Sequence, residues 1–499
     1  MKDGAHSNDV LQGSLGDCWF IGAMSVLAID DKNISCKIGD QLDNRKSLSD
    51  QEAHELLSGV YPSLFHHFAK FGLYVIRFFK DYKWRYVIID DRLPCYGEAN
   101  QDPQLIFASC DDQNEFWVPL IEKAYAKLHG TYAALISGVT DDGLVDMSGY
   151  VSEKIKIMTK RNQFNEKDLK SPEDFWLKIQ EDLQSGSMMG CSIVGNSIEG
   201  EVIKDGEFTG LYSGHAYSIL DAFEANGTKL VKIRNPWGSG NPKEWTGAWS
   251  DNSEELINNL DEINRVLKKK WGPEAELLKE ENKDGSFLMC YKHFISTWHN
   301  LSICKKFNKN YSGVRFFGNF IESNSGGTPY RNDPEMFENY LKNPQFLISL
   351  QKKTHLFLSL GQEDGRVKSK GEEPFPFAKF IHPLSLTVFK LERGRKQLNS
   401  FDTKAMKSRP FIKNYRDVQV DLTLEKGNYV VIPSTKLVGS FGKFFLNIYF
   451  DCPKNKISFS NERDQFNYEP IVEEEETQIQ MEENLKKLLK VFIKKFHGE

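Results

Sequence analysis

The run Gln12-Gly13-Ser14-Leu15-Gly16-Asp17-Cys18-Trp19-Phe20 constrains this chain more than any other stretch. A glycine-rich turn leads into Asp17, a residue type able to cap a helix, and an apolar run from Trp19 to Met24 follows. Cys18 should therefore lie in the first turn of a helix, where the dipole and the unpaired backbone N–H groups favour a thiolate. Gln12, six residues upstream, can aim its side-chain amide at the space above that sulfur. With the backbone N–H of Cys18 it would form a two-donor oxyanion hole. A free cysteine usually packs as a small buried hydrophobe. Cys36, Cys95, Cys110, Cys191, Cys290, Cys304 and Cys452 have no comparable context, no Cys-x-x-Cys spacing and no pairing with histidine that would suggest zinc.

A base for this nucleophile is found in Gly214-His215-Ala216-Tyr217, at the start of a β-prone run that continues to Leu220. A second such run, Thr228 to Ile233, follows the turn signal Asn226-Gly227, so the two read as an antiparallel hairpin. His215 and Asn235 then both lie toward its open end. A strict two-residue turn would put Asn235 opposite Ser218, three residues from His215, so contact between them needs a bulge or a wider turn. If they meet, Asn235 accepts the imidazole N–H and turns the other ring nitrogen toward Cys18, the logic of nucleophile, base and orienter.

These residues sit among several separated motifs. They are Gln12-Gly13-x-Leu15-Gly16-Asp17-Cys18-Trp19, Asp90-Asp91-Arg92-Leu93-Pro94, Glu115-Phe116-Trp117 with Leu120-Ile121-Glu122-Lys123-Ala124-Tyr125-Ala126-Lys127, Gly214-His215-Ala216-Tyr217, and Arg234-Asn235-Pro236-Trp237-Gly238 with Glu244-Trp245-Thr246-Gly247-x-Trp249-Ser250-Asp251. In order and number they resemble the calpain family, calcium-dependent cysteine proteases with a papain-like core. The resemblance implies Cys18 as nucleophile, His215 as general acid and base, Asn235 as orienter and Gln12 as oxyanion donor. It makes Trp237 the family's tryptophan wedge, which lies between the halves of the core and moves before the triad assembles.

The expected fold class is α+β, a papain-like two-lobed core followed by a C2-like antiparallel β-sandwich. The Cys lobe is placed at 1–140, with a long insertion around Asp40–Leu57, and the His/Asn lobe at 141–305. From about Phe307 short alternating strands argue for a sandwich, placed at 306–455. It resembles the family's C2-like domain through Gly326-Gly327, Asn343-Pro344-Gln345-Phe346 and Gly427-Asn428-Tyr429-Val430-Val431-Ile432-Pro433. Residues 456–499 read as an acidic linker, Glu473 to Glu476, and an amphipathic helix bearing Leu485, Leu488, Leu489, Phe492 and Phe496. A docked apolar face is favoured for that helix over membrane binding. No EF-hand loop is visible.

The net charge of −6 gives no support to nucleic-acid binding. With no apolar signal core and no run of about 18 apolar residues, the chain reads as a soluble cytoplasmic protein whose thiols stay reduced. By resemblance the cofactor is Ca2+. The first-lobe site would use the carbonyls of Lys2 and Gly4 with Asp9 and Glu115, and the second-lobe site Glu244, Asp251 and Asp284 with the carbonyl of Asn282. Three departures stand out: Ser286 where the family usually has a glutamate, Ser7 where it has the arginine that pairs with it, and an abrupt start that leaves Lys2 and Gly4 poorly held. The expected function is calcium-dependent limited proteolysis of flexible protein segments, with peripheral phospholipid contact through the C2-like domain as a further partner class. The competing reading is a catalytically weak calcium-responsive scaffold that binds proteins or lipid. A transglutaminase fits less well, because Asn235 stands where an acid is usual there.

Overall fold

The computed structural model describes residues 4–35, 56–97, 103–195, 200–204, 207–238, 244–251, 253–273, 284–329, 333–366, 382–408, 412–413, 415–460 and 468–471. Contacts divide the chain into two units, one of residues 1–306 with 366–377, the other of 307–365 with 378–499. The amphipathic helix expected near the C-terminus and the insertion up to residue 55 lie outside the described residues.

The first unit begins with helix α1, Cys18–Leu27, in which every residue is buried. Around it pack strands β1 (Leu73–Lys80) and β2 (Lys83–Asp90), which form a hairpin, and helices α2 (Trp117–His129) and α3 (Thr140–Ser148). The aromatic residues make this core specific. Phe20 stacks on Tyr125 of α2 with ring centroids 3.9 Å apart, and the Trp19 indole N–H donates to Leu135 O at 2.8 Å. Gly138 lies flat against that indole, where a Cβ would come within 2.3 Å of the ring.

Six antiparallel strands follow: β3 (Val151–Lys156), β4 (Met188–Ser192), β5 (Ala216–Ala225), β6 (Thr228–Arg234), β7 (Ser286–Cys290) and β8 (Asn300–Lys305), in the spatial order β7-β6-β5-β4-β8-β3. Their apolar side chains, among them Ile219, Val231, Ile233, Met289 and Ile303, share a second core with Trp176 and Trp298. The β5–β6 hairpin closes at Asn226-Gly227, both at positive φ (48° and 73°), with Ala225 opposite Thr228. Its register slips by one residue between Ile219 and Asp221, so Ser218 pairs with Arg234. This bulge twists the open end of the hairpin.

Helix α1 lies directly on this sheet. Ser218 Oγ donates to Gly22 O at 2.9 Å, and a Cβ on Gly22 would meet Ser218 Oγ at 3.5 Å and Ala216 O at 3.9 Å. The second link is Arg234, which is wholly buried. Its Nε donates to Asp284 O (3.0 Å), Nη1 to Ser25 Oγ (3.3 Å), and Nη2 to Asn8 O (3.2 Å) and Val10 O (2.8 Å).

The second unit has two antiparallel sheets. Strands β9 (Ser312–Phe320), β11 (Thr354–Gln362), β13 (Asp417–Leu424), β15 (Gly442–Phe450) and β17 (Tyr468–Ile471) form one, in the order β13-β11-β15-β9-β17. Strands β10 (Phe346–Leu350), β12 (Leu384–Lys390), β14 (Gly427–Thr435) and β16 (Ile457–Ser460) form the other, in the order β12-β14-β10-β16. Side chains from both, such as Phe316, Ile348, Leu358, Val388 and Leu446, fill a common core. The sheets take in β16 and β17, so regular strand structure continues past residue 455, into the stretch read as a linker. The Gly326-Gly327 and Asn343 motifs form one joint: Gly326 N donates to Asn343 Oδ1 (3.0 Å), and Asn343 Nδ2 donates to Gly327 O (2.8 Å).

Removing the Arg234 side chain would leave several buried acceptors without a donor, each costing about 1–3 kcal/mol. Arg234→Ala is therefore expected to lower unfolding free energy by about 3–5 kcal/mol, read from urea denaturation in a Cys18→Ala background. A loss below about 1 kcal/mol would show that the guanidinium does not tie these segments together.

Candidate active site

The loop before α1 is fixed by contacts that tolerate little change. At Gly13 a Cβ would lie 2.2 Å from Phe107 O, and Ser14 donates to Ile106 O through both its N–H (3.1 Å) and its hydroxyl (2.7 Å). Gln12 N donates across to Pro236 O at 2.9 Å, while its side-chain Nε2 donates one hydrogen to Leu15 O at 2.7 Å. Cys18 opens α1 and is 8% exposed. Asp17 occupies the N-cap position expected of it, but its carboxylate makes no capping bond; the helix start is closed instead by Phe20 N and Ile21 N on Asp17 O (2.8 and 3.1 Å).

His215 follows Gly214, whose φ of 73° turns the chain into β5, and is 1% exposed. The one-residue slip in the β5–β6 register brings the two open ends into reach, and His215 Nε2 lies 2.9 Å from Asn235 Oδ1. The backbone N–H of Trp237 donates to that same Oδ1 at 3.1 Å, so the atom accepts and the imidazole must carry its hydrogen on Nε2. Nδ1 is then the basic nitrogen. Asn235 N in turn donates to Gly285 O at 2.9 Å. The Trp237 ring lies 4.3 Å from the imidazole at 36°, and the Tyr212 ring 4.8 Å from Trp237. Cys18 sits one helical turn before Gly22 on the same face of α1, the face that meets Ala216 and Ser218. Burial raises the Tyr217 phenol, with Cys191, Tyr212 and Cys18 adding to it in that order.

The expected metal ligands form two groups, apart from Lys2 and Asn282, which lie outside the described residues. In the first, Gly4 is buried at φ 123°, Glu115 is buried, and Asp9 Oδ2 accepts from His6 N (2.7 Å) and Trp117 Nε1 (3.3 Å). Burial, with a contribution from the Glu115 charge, raises the Asp9 carboxyl above its usual value. In the second, burial and the charges of Asp251 and Asp284 push Glu244 up to about 8, and burial first, with Asp284 adding, pushes Asp251 up to about 6. Glu244 and Asp251 are thus within hydrogen-bonding reach of each other, and the Asp284 charge acts on both. The backbone is shaped to the same loops, for Gly210 (φ 73°) lies so close that a Cβ would sit 1.7 Å from Glu244 O.

Ser7 and Ser286 do not bridge these groups. Ser7 Oγ donates to Ser25 O at 2.8 Å, and the Ser286 N–H donates to Asp284 Oδ1 at 2.8 Å. Arg234 does reach both, through Asn8 O and Val10 O on one side and Asp284 O on the other. The sequence reading gave Arg234 no role; the available signal was a charged residue closing the inward-facing end of an apolar strand.

A profile of calpain family cysteine proteases matches residues 1–305, and a profile of calpain large subunit domain III matches residues 318–449. Calpain-5 of Mus musculus is 29% identical over 492 residues, covering 91% of this chain and 67% of that protein. The human calpain-1 catalytic subunit is 30% identical over 525 residues, covering 98% of this chain and 63% of that protein. The human calpain-2 catalytic subunit is 30% identical over 482 residues, covering 89% and 59%. The chain thus spans 59% to 67% of the length of these relatives. A family profile over more than half of the chain, on a core that joins Gln12, Cys18, His215 and Asn235 in one unit, means that this chain belongs to the calpain family of cysteine proteases.

Proposed function

We propose that the chain is a calcium-dependent cysteine endopeptidase that makes limited cuts in flexible segments of cytoplasmic proteins. Its core is read as papain-like, with the Cys lobe to about residue 140 and the His/Asn lobe to about 305, followed by a C2-like sandwich suited to peripheral phospholipid contact. The observation that carries the reading is the shared acceptor Asn235 Oδ1, which takes the His215 Nε2–H and so makes Nδ1 the basic nitrogen of the ring.

In the reaction, Nδ1 of His215 takes the Cys18 thiol proton, and the sulfur attacks the scissile carbonyl carbon. The oxyanion that forms is stabilised by the Cys18 N–H, free of any helix partner in the first turn, and by the second hydrogen of Gln12 Nε2. The imidazolium then gives its proton to the leaving amine, and the carbonyl re-forms as a thioester. Water, deprotonated by His215, attacks that thioester; collapse expels the thiolate and releases the acid product. Trp237, packed on the imidazole, has to shift for an extended substrate to reach both lobes.

Calcium would be held by Gly4 O, Asp9 and Glu115 with Lys2 O, and by Glu244, Asp251 and Asp284 with Asn282 O, where it would supply the positive charge these acids lack. Because Gly285 O accepts from Asn235 N, the order of the second loop passes directly to the orienter. Arg234 would take the place of the absent Ser7–Ser286 charge pair as the link between the two loops.

Cys18→Ala and His215→Ala are expected to lower kcat/KM on a fluorogenic peptide by about 10⁴-fold or more with the fold intact, and Asn235→Ala by less, because it loses orientation and not chemistry. Gln12→Ala should cost about 10²–10³ in kcat at nearly constant KM. Turnover by purified Cys18→Ala close to the wild-type level would overturn the nucleophile assignment, and a wild type inactive at saturating calcium would leave the scaffold reading.

The metal reading has its own readout. Asp251→Asn removes one of three mutually repelling carboxylates, so the chelator-treated protein should be as stable as the wild type or more so. The rise in its thermal midpoint on adding calcium should shrink, since a poorer ligand set binds the native state less tightly. Equal calcium-induced shifts in the two proteins would remove Asp251 from the site.

A further inference from the structure

Asp17 stands next to the nucleophile, at the position where an aspartate usually caps a helix, yet it faces inward. It is wholly buried, as is Glu122 on α2, and the two carboxyl groups are within hydrogen-bonding reach of each other. Neither Asp17 oxygen, nor Glu122 Oε1, meets a hydrogen-bond donor among the described residues. Glu122 Oε2 accepts from Ala108 N at 3.0 Å. Ala108 follows Phe107, whose carbonyl touches Gly13, and Ile106, whose carbonyl holds Ser14. The pair therefore joins α2, the 106–108 segment and both ends of the Gln12–Cys18 loop.

Two ionised carboxylates are acceptors only and cannot hydrogen-bond to one another. Buried side by side, they also repel too strongly for both to stay charged. Besides each other, their charge reaches the Tyr132 phenol, raised by burial and then by Glu122 and Asp17; it stacks on Phe107 with centroids 3.9 Å apart. Among the described residues, no lysine, arginine or histidine acts on either carboxyl.

We propose that Asp17 and Glu122 share one proton, and that this acid pair is a positioning element that clamps the nucleophile loop to α2, so that losing the proton loosens Cys18 and Gln12 from their catalytic geometry. The proposal rests on Cys18 being the nucleophile. Burial pushes Asp17 up to about 7 and raises Glu122 well above its usual value. Both shifts are upward. The pair's stabilising contribution is accordingly complete below the ordinary carboxylate range and is lost as pH rises through the folded values, near neutrality for Asp17.

An amide in place of one carboxyl would donate permanently where the proton donates conditionally. In the Cys18→Ala background, the thermal midpoint between about pH 5.5 and 8.5 should fall less steeply in Glu122→Gln than in the Glu122-containing protein, whereas Glu122→Leu, which strands Asp17, should keep the steep fall. With Cys18 present, alkylation by iodoacetamide, followed at the Cys18 peptide by mass spectrometry, should slow about tenfold in Glu122→Leu and recover to within about threefold of wild type in Glu122→Gln. The ratio of the Glu122→Gln rate to the wild-type rate should rise about threefold or more from pH 6 to 8.5. Asp17→Asn, with its amide on the other partner, should flatten the midpoint curve in the same way. Superimposable midpoint curves, or Glu122→Gln alkylating no faster than Glu122→Leu, would overturn the shared proton, as would failure of both amide variants to fold. If instead Cys18 proves unreactive in every protein while the midpoint curves behave as stated, the nucleophile assignment fails and the shared proton stands.

Discussion

Placing one guanidinium in the interior is the constraint on which the first unit depends. Arg234 closes strand β6 with no exposed surface; its hydrogen bonds go to the carbonyls of Asn8, Val10 and Asp284 and the hydroxyl of Ser25, and the charges of Asp284, Asp111, Asp9 and Glu244 act on it as well. Burying such a cation costs several kcal/mol, and carbonyl dipoles repay that only while all of them converge. The chain segments before α1 and before β7 are thus held to one point, immediately beside Asn235. Burial lowers the Arg234 basicity only to about 10, so the group stays charged at any physiological pH. The site is assembled around a charge that cannot be switched off.

Much of this was legible in the sequence because it was written locally. The apolar run after Cys18 marks α1, and Asn226-Gly227 marks the turn between β5 and β6. The need for a bulge or a wider turn followed from counting residues, although the choice of a bulge and its place at Ile219–Asp221 depend on packing that no residue type announces.

What escaped was the fate of buried charge. Asp17 reads as a cap from its neighbours alone, and only the approach of α2 turns it toward Glu122. Glu122 itself sits in a stretch, Leu120 to Lys127, whose pattern of acids and bases looks like a solvated face, yet it is fully buried. Local propensity cannot report such groups, because their burial is settled by elements far away in sequence. These are also the residues on which the geometry of the nucleophile loop rests.

The slip in the β5–β6 hairpin divides that hairpin into two stretches with different tolerance to change in length. Between the bulge and Asn226-Gly227, a matched pair of residues could be added to or taken from both strands, and the open end would keep its pairing. Between the bulge and His215 there is no such slack. One residue gained or lost there turns every side chain to the opposite face and carries the imidazole away from Asn235. Homologues of this chain should accordingly vary freely in the distance from turn to bulge and hold constant the count from bulge to histidine.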